Sequence, residues 1–385
     1  MASRADRAVQ PDDVRYMRMA LALAKRGIGL VEPNPAVGCV IVRSGEILGR
    51  GWHKGFGKAH AEVDAIQDCR NRGNDPAGAT MYVTLEPCCH YGKTGPCTEA
   101  IIDARIGRVV VATPDPSAQI NGKGISILRQ AGIAVDLGTC QQEARFLNGP
   151  FFKFVQTGRP WVIAKWAQSV DGMLAYTEPA KRYLTSPAAR RHAHILRRRT
   201  QAIIVGINTI LQDDPLLTPR PGKGRSPTRV VMDRELRTPL GARILAQIGT
   251  YPVLICTTAS AMERKQQQAE RLRGMGVELL AGPAGQEDLG FILQELASRG
   301  VQQVLVEGGA ALLASVLDMG LADEIHVYIA PMLLGSAGKA RISLERAGQI
   351  AIYKSRVRQI GPDAWLWGLT ESGYGLCVDI PKAQT

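Results

Sequence analysis

The feature that most limits how this chain can fold is a set of four polar residues tied to the ends of predicted elements. His60-Ala61-Glu62 opens an amphipathic pattern, Cys88 follows the apolar run TMYVTLEP, and Cys97 opens the next helical pattern. Two helix starts and one strand end must therefore come together. An imidazole and two thiols form a mixed N/S donor set that suits zinc, leaving a fourth position for water. Glu62, two residues from His60 at the same helix start, is the carboxylate placed to move protons at that water. Cys97 should gain from the positive end of its helix, which favours a thiolate.

The elements between these residues are legible from periodicity. DDVRYMRMALALAKRG spaces Val14, Met17, Leu21 and Ala24 as one helix face, with an Asp start and a Gly stop. VGCVIVR and GEILGRG read as strands joined at Ser44-Gly45, AHAEVDAIQDCRNRG as a helix, and TMYVTLEPC as a strand ending at Pro87-Cys88. TEAIIDARIG, RVVVATPDP, GISILRQAG and IAVDLG then alternate helix and strand. This order predicts a three-layer α/β/α domain over residues 1–147. The aromatic, Gly- and Pro-containing stretch at 148–158 reads as a packed junction. Beyond it, PWVIAKWAQS, QAIIVG, TRVVMD, TYPVLICTT, VELLAG, QQVLVEGG and EIHVYIAP are strand candidates, interleaved with helices such as SPAARRHAHILRRR. A second α/β domain over 159–385 follows, which agrees with a length of 385 residues.

HAE at a helix start, followed by PC and a further cysteine, is the H-x-E then P-C pattern of cytidine-deaminase-type zinc enzymes. In that chemistry Glu62 takes a proton from water, delivers it to the ring nitrogen and then protonates the departing ammonia. Cys89 and His90 adjoin Cys88 and are alternative ligands, although adjacent residues diverge in direction. A structural zinc is a second alternative; it needs a closed fourth ligand and leaves Glu62 without a role.

Common members of the class space their cysteines C-x2-C, whereas EPCCHYGKTGPC is C-x8-C. With Pro33-Asn34-Pro35-Ala36-Val37-Gly38, Gly51-Trp52-His53 and the second α/β half, nearly the whole chain resembles the bifunctional deaminase/reductase family of riboflavin biosynthesis. The resemblance implies a deaminase domain followed by a dihydrofolate-reductase-like domain. It implies zinc and NADPH as cofactors and a phosphorylated aminopyrimidine as substrate, deaminated hydrolytically and then reduced from ribosyl to ribityl. It further implies that Asn34, His53, His90 and Lys93 hold the deaminase substrate. In the second half it marks Lys165, Asp213 and Glu307 as catalytic and Lys181, Arg197, Leu217, Arg220 and Glu307 as substrate-binding. Ala167, Tyr183, Thr209, Asp213, Gly308 and Gly309 are marked as cofactor-binding. Glycines where a helix begins let backbone N–H groups approach a phosphate, which agrees at Gly308-Gly309. The chain departs from the family with Cys89 for Ser, Gly95 for Pro, and Lys181 where a small hydroxyl is usual.

Net charge is +12, yet residues 1–145 carry 18 basic and 15 acidic side chains while the remainder carries 29 and 20. The excess lies in the second half, with a cluster at Arg190, Arg191, Arg197, Arg198 and Arg199. Such a run is either a solvated helix face or a platform for a polyanion. A nucleic-acid-editing deaminase would need exposed aromatics among the cations, and aromatics are 5% of the chain. No nucleic-acid partner is expected. A deaminase whose reductase half is degenerate is the other competing reading, and a homo-oligomer stays open. No apolar run reaches the roughly 20 residues of a membrane span, and the start lacks a secretory core. With the remaining cysteines single and scattered, a cytoplasmic enzyme that does not engage membranes is the expectation.

Overall fold

The computed structural model describes residues 11–92, 95–178, 183–220, 226–282, 289–346 and 348–378. The chain divides into two units, residues 1–157 and 158–385. Among the described residues no helix is long and apolar enough to cross a membrane.

In the first unit α1 (Pro11–Ala24) is followed by a hairpin of β1 (Gly38–Arg43) and β2 (Glu46–Trp52). Its turn residues Ser44 and Gly45 have φ of 53° and 82°, the two left-handed positions that suit the twist of a two-residue hairpin. Then come α2 (Ala61–Asn71), β3 (Thr80–Val83), α3 (Cys97–Asp103), β4 (Arg108–Val111), α4 (Lys123–Gln130), β5 (Ala134–Leu137), α5 (Gln141–Leu147) and α6 (Gly149–Thr157). The stretch suggested as a junction is thus largely the helix α6, within the first unit. The sheet order is β2-β1-β3-β4-β5, with β3, β4 and β5 parallel.

Alternation along β1 makes the layers. Cys39 and Ile41 join Ala65, Met81, Ile101 and Leu128 in one buried cluster, whereas Val40 and Val42 join Met17, Ala20, Tyr82 and Ala144 in another. Each large side chain so buried stabilises by roughly 1.5–3 kcal/mol. Glycines set how closely helices approach the sheet. A Cβ on Gly51 would lie 2.3 Å from the Ala61 carbonyl and 2.3 Å from the Ala65 nitrogen, and one on Gly49 would lie 2.4 Å from the Ala65 carbonyl. α2 therefore rests directly on the β2 backbone.

The second unit opens with β6 (Trp161–Ser169), β7 (Ala175–Tyr176) and α7 (Pro187–Arg199), the last capped by Ser186 Oγ accepting from Ala189 N–H and started by a proline. β8 (Ala202–Gly206), α8 (Ile207–Asp213), β9 (Thr228–Met232), β10 (Val253–Thr257), α9 (Ala259–Arg264), α10 (Gln266–Gly274), β11 (Glu278–Ala281), α11 (Leu289–Ser298), β12 (Gln303–Glu307), α12 (Ala310–Asp318) and β13 (Glu324–Ala330) follow. The chain closes with β14 (Gly338–Lys339), β15 (Tyr353–Ile360), β16 (Asp363–Leu369) and α13 (Glu371–Cys377). The main sheet runs β11-β10-β9-β8-β12-β6-β13-β16-β15, parallel up to β13 and ended by the antiparallel pair β16 and β15. After β8 the chain moves outward to β9, but after β12 it crosses β6 to β13. The carboxyl ends of β8 and β12 are therefore a topological switch point, where ligands bind in open α/β sheets.

Candidate active sites

His60 is the N-cap of α2, so its extended backbone turns the imidazole away from the helix axis while Glu62 enters the first turn. Cys97 is the first residue of α3 behind Pro96. Cys88 is not at a strand end as expected: β3 stops at Val83, and the segment to Cys88 continues irregularly, held by Thr84 N–H to Gly38 O and Glu86 N–H to Thr113 O. The buried Glu86 carboxylate accepts backbone N–H groups from Asp115, Gly122 and Ile125, which fastens the segment before the cysteine.

His60, Cys88 and Cys97 present ligand atoms within 4.8 Å of one another. His60 Nδ1 is 3.2 Å from Cys97 Sγ and 3.5 Å from Cys88 Sγ. One nitrogen and two sulfurs around a tetrahedral zinc would be about 3.5–3.8 Å apart, so this set fits that ion with little movement. Cys88 is drawn down to about 4 by the Cys97 thiol and by His60, against the opposing effect of burial. The backbone N–H of Cys97 also reaches Cys88 Sγ at 3.3 Å. The helix start was expected to favour a Cys97 thiolate, but its N–H points at the other sulfur. Cys97 donates to Cys88 and is itself pushed up. Glu62 is buried, and burial followed by the Cys88 charge raises its carboxyl to about 7.

Asn34 and His53 stand beside this group. His53 is buried, its ring 5.2 Å from that of His60. Its Nδ1 lies 3.0 Å from Ala59 O, which can only accept, so Nδ1 carries the proton and Nε2 accepts from Asn34 Nδ2 at 3.1 Å. Burial pushes His53 down, in keeping with a neutral ring. His90 is exposed two residues past Cys88, and Lys93 lies outside the described residues.

In the second unit Lys165 on β6 and Glu307 on β12 are register partners in adjacent parallel strands. Lys165 Nζ lies 3.7 Å from Glu307 Oε2, and Arg197 from α7 forks onto the same carboxylate, Nε to Oε1 at 3.0 Å and Nη2 to Oε2 at 2.7 Å. Burial pushes Glu307 up, but Arg197 and Lys165 hold it down at about 2; burial pushes Lys165 down. Arg197 was expected to meet substrate, and its guanidinium is engaged inside the protein with Glu307 and, through Nη1, Thr218 O at 3.4 Å. Leu217 is buried with φ of 55°, and Arg220 is exposed.

A residue that sequence reasoning missed also belongs here. His194 Nδ1 accepts the Arg220 backbone N–H at 3.2 Å, and burial, then Arg197, lowers its pKa to about 4. It is a neutral ring with Nε2–H as its remaining donor. In sequence it is one position of an amphipathic helix, and only the return of Arg220 gives it a partner.

Of the expected cofactor residues, Thr209 and Gly308 meet at the switch point, with Gly309 next in the chain. A Cβ on Gly308 would lie 3.6 Å from the Gly206 nitrogen, 3.6 Å from Thr209 Oγ1 and 3.5 Å from Leu312. A side chain there would fill the crevice between the ends of β8 and β12. Gly309 is the exposed N-cap of α12, so the backbone N–H groups opening that helix are available, and a pyrophosphate fits the arrangement. Ala167 is half-buried on β6. Tyr183 is largely exposed beneath Arg190, whose guanidinium carbon lies 4.3 Å from the ring centre. Asp213 is exposed at the far end of α8 from Thr209. Lys181 lies outside the described residues.

Comparison with known proteins divides the chain in the same way. Residues 10–113 match the model for the cytidine and deoxycytidylate deaminase zinc-binding region, and residues 160–366 match the RibD C-terminal domain. The riboflavin biosynthesis protein RibD of Aquifex aeolicus is 43% identical over 91% of this chain and 96% of its own length. That of Escherichia coli is 38% identical over 92% and 98%. Among solved structures, Acinetobacter baumannii RibD in one crystal form superposes with a TM-score of 0.81 at 38% identity, covering 93% of this chain and 98% of that one. A Thermotoga maritima diaminohydroxyphosphoribosylaminopyrimidine deaminase/5-amino-6-(5-phosphoribosylamino)uracil reductase gives 0.81 at 33% identity with the same coverage.

Proposed function

The chain belongs to the RibD family, whose members are bifunctional deaminases and reductases of riboflavin biosynthesis, and we propose which of its residues carry each step. The observation that supports the deaminase assignment best is the convergence of His60, Cys88 and Cys97 beside the buried Glu62. Zinc held by those three residues supplies Lewis acidity to a water molecule. Glu62 accepts the proton that this water loses as it adds to the amino-bearing carbon of 2,5-diamino-6-(5-phosphoribosylamino)pyrimidin-4(3H)-one. It passes one proton to the ring nitrogen and another to the amine, which leaves as ammonia. Buried beside the three ligands, one carboxylate can serve each of these transfers in turn. Asn34 and the neutral His53 orient the ring, and His90 and Lys93 meet the remainder of the substrate.

The second unit reduces the ribosylamino group of the deaminated product to ribitylamino, with NADPH supplying a hydride to C1′. The C1′–O bond of the ribose breaks in this step, and the released oxygen needs a proton. Lys165 provides it, its ammonium made more acidic by burial. Glu307 holds Lys165 in place, Arg197 holds Glu307, and Lys181 and Arg220 take the substrate phosphate. Thr209, Gly308 and Gly309 receive the cofactor backbone at the switch point.

Incubating the purified full-length chain with zinc, the diaminopyrimidine substrate and NADPH tests the two steps together. Ammonia should appear first, with nicotinamide oxidation following in equal amount. Ammonia without oxidation would favour a degenerate reductase half, and oxidation before ammonia would reverse the proposed order.

A further inference from the structure

Residues 33–37 precede the ladder of β1, which begins at Gly38, so buried backbone groups there need partners from elsewhere. Ala36 is buried and finds both of its partners on one side chain. Its N–H donates to Asn148 Oδ1 at 2.8 Å, and its carbonyl accepts from Asn148 Nδ2 at 2.9 Å. A primary amide carries a donor and an acceptor side by side, so Asn148 imitates the facing peptide of a neighbouring strand. Asn148 is itself buried and held from both directions: its N–H donates to Ala144 O at 3.2 Å as α5 ends, and its carbonyl accepts from Phe152 N–H at 3.0 Å as α6 begins. Ala144 lies in the buried cluster with Met17 and Val40, so the amide is mounted on the core of the unit. Beyond Ala36 the chain is held by other groups. Val37 O accepts His53 N–H at 3.0 Å, and Gly38 N–H donates to Thr84 Oγ1 at 3.1 Å.

We propose that Asn148 is a positioning residue of the deaminase: by holding Ala36 at both of its backbone polar groups, it sets where Asn34 presents its amide to the pyrimidine ring. The proposal rests on the reading of Asn34 and His53 as the residues that orient that ring. Pro35 separates Asn34 from Ala36, and its ring fixes φ, so a shift of Ala36 passes to Asn34 with little loss. Asn34 Nδ2 donates to His53 Nε2 at 3.1 Å, while His53 N–H is on Val37 O. The two ring-orienting side chains and Ala36 thus form one closed set of contacts, and Asn148 ties that set to the core. The amide is the group this task requires. Aspartate would keep the acceptor but set a carboxylate oxygen against Ala36 O, and alanine would leave two buried backbone groups unpaired. Asn148 opens the stretch suggested as a junction, well past residue 113, where the match to the deaminase zinc-binding region ends. The substrate side of the deaminase therefore depends on a residue outside the segment that holds the metal.

Steady-state ammonia release by the zinc-loaded full-length protein from the diaminopyrimidine substrate separates the roles. Asn148→Asp and Asn148→Ala should each raise the deaminase KM by about tenfold, with kcat changed less than about threefold, because a ring contact made alike in ground and transition states moves KM alone. Zinc content and the rate of reduction of pre-deaminated substrate should match the parent, which shows that the variants are folded. Asn34→Ala should raise KM by a similar factor. Adding Asn148→Asp to Asn34→Ala should then change KM less than about twofold, because the effect passes through Asn34. An amide that only stabilised the fold would add its full effect in both backgrounds. Without turnover, the nitrogen NMR signal of His53 Nε2 should move in Asn148→Asp toward its position in Asn34→Ala, as the bond from Asn34 loosens. An unchanged KM and His53 signal in zinc-loaded Asn148→Asp overturns the proposal, as does additivity in the double variant. Should Asn148→Ala fail to fold, Asn148→Asp and Asn148→Ser carry the same comparison. If Asn34→Ala leaves KM unchanged, the ring-orienting reading fails and takes the proposal with it. If Asn34→Ala raises KM and the Asn148 variants do not, that reading stands and the proposal alone fails.

Discussion

Replacing Arg197 by methionine should unfold the second unit more easily than its single ion pair suggests. The substitution keeps much of the aliphatic volume but leaves the Glu307 carboxylate with Lys165 at 3.7 Å as its remaining cation among the ion pairs at that site. Glu307 is held at about 2 against an ordinary value of 4.5. At about 1.4 kcal/mol per pKa unit that is on the order of 3 kcal/mol, and breaking a buried pair costs about 3–5 kcal/mol in general. Because Lys165 remains and the Arg197 side chain is 17% exposed, the expected loss is about 2–3 kcal/mol. Four of the five tryptophans, at 161, 166, 365 and 367, lie in this unit, so intrinsic fluorescence during urea unfolding reports mainly on it. Glu307→Leu alone leaves Arg197 and Lys165 without their shared anion and should cost a similar amount. The double variant Arg197→Met/Glu307→Leu should recover about 1 kcal/mol or more relative to the sum, since no buried charge then lacks its partner. Strict additivity of the two single losses would refute this account of the pair.

Elemental analysis should find one zinc per chain, and Cys88→Ser should lose both the metal and ammonia release while reducing pre-deaminated substrate at nearly the parent rate. Loss of both activities in a folded variant would show that the two sites depend on each other. Glu62→Gln should keep zinc and lose deamination by several orders of magnitude, measured as ammonia release, because one carboxylate serves every proton transfer. Burial and Arg197 push His194 down to about 4 from an ordinary 6.5, so between those values the unfolded chain binds the extra proton and stability falls as pH falls. His194→Gln should flatten the urea midpoint of the second unit between pH 6.5 and 4, and an unchanged slope would place the titration elsewhere.

The convergence of His60, Cys88 and Cys97 was legible because ligation demands residue types that few other roles share, and because helix starts can be read from local chemistry. The sulfur that bears the charge was not. That depends on where the Cys97 N–H points, which is set by the turn from Pro96 into α3. Strands β8, β9, β10 and β12 were plain from their apolar runs, which burial on both faces of a parallel sheet requires. Strand β15 gave no such signal: YKSRVRQI lies at the sheet edge, largely solvated, and a strand that buries neither face has no period to read. Glu307 with Lys165 follows from strand register, and His194 with Arg220 from a chain return 26 residues later. Neither relation has a local trace.

The bare backbone of β2 under α2 gives the deaminase a mechanical datum. Because helix and strand touch through main-chain atoms, the height of His60 and Glu62 above the sheet is fixed by peptide dimensions, with no rotamer in between to absorb error. A methyl group added at Gly51 would act as a shim, tilting the whole first turn of the helix. The ligands could follow the ion, whereas a carboxylate that must meet water, ring and amine in turn has no such latitude. Residues that never approach the substrate thus set the machining tolerance of the proton-transfer step.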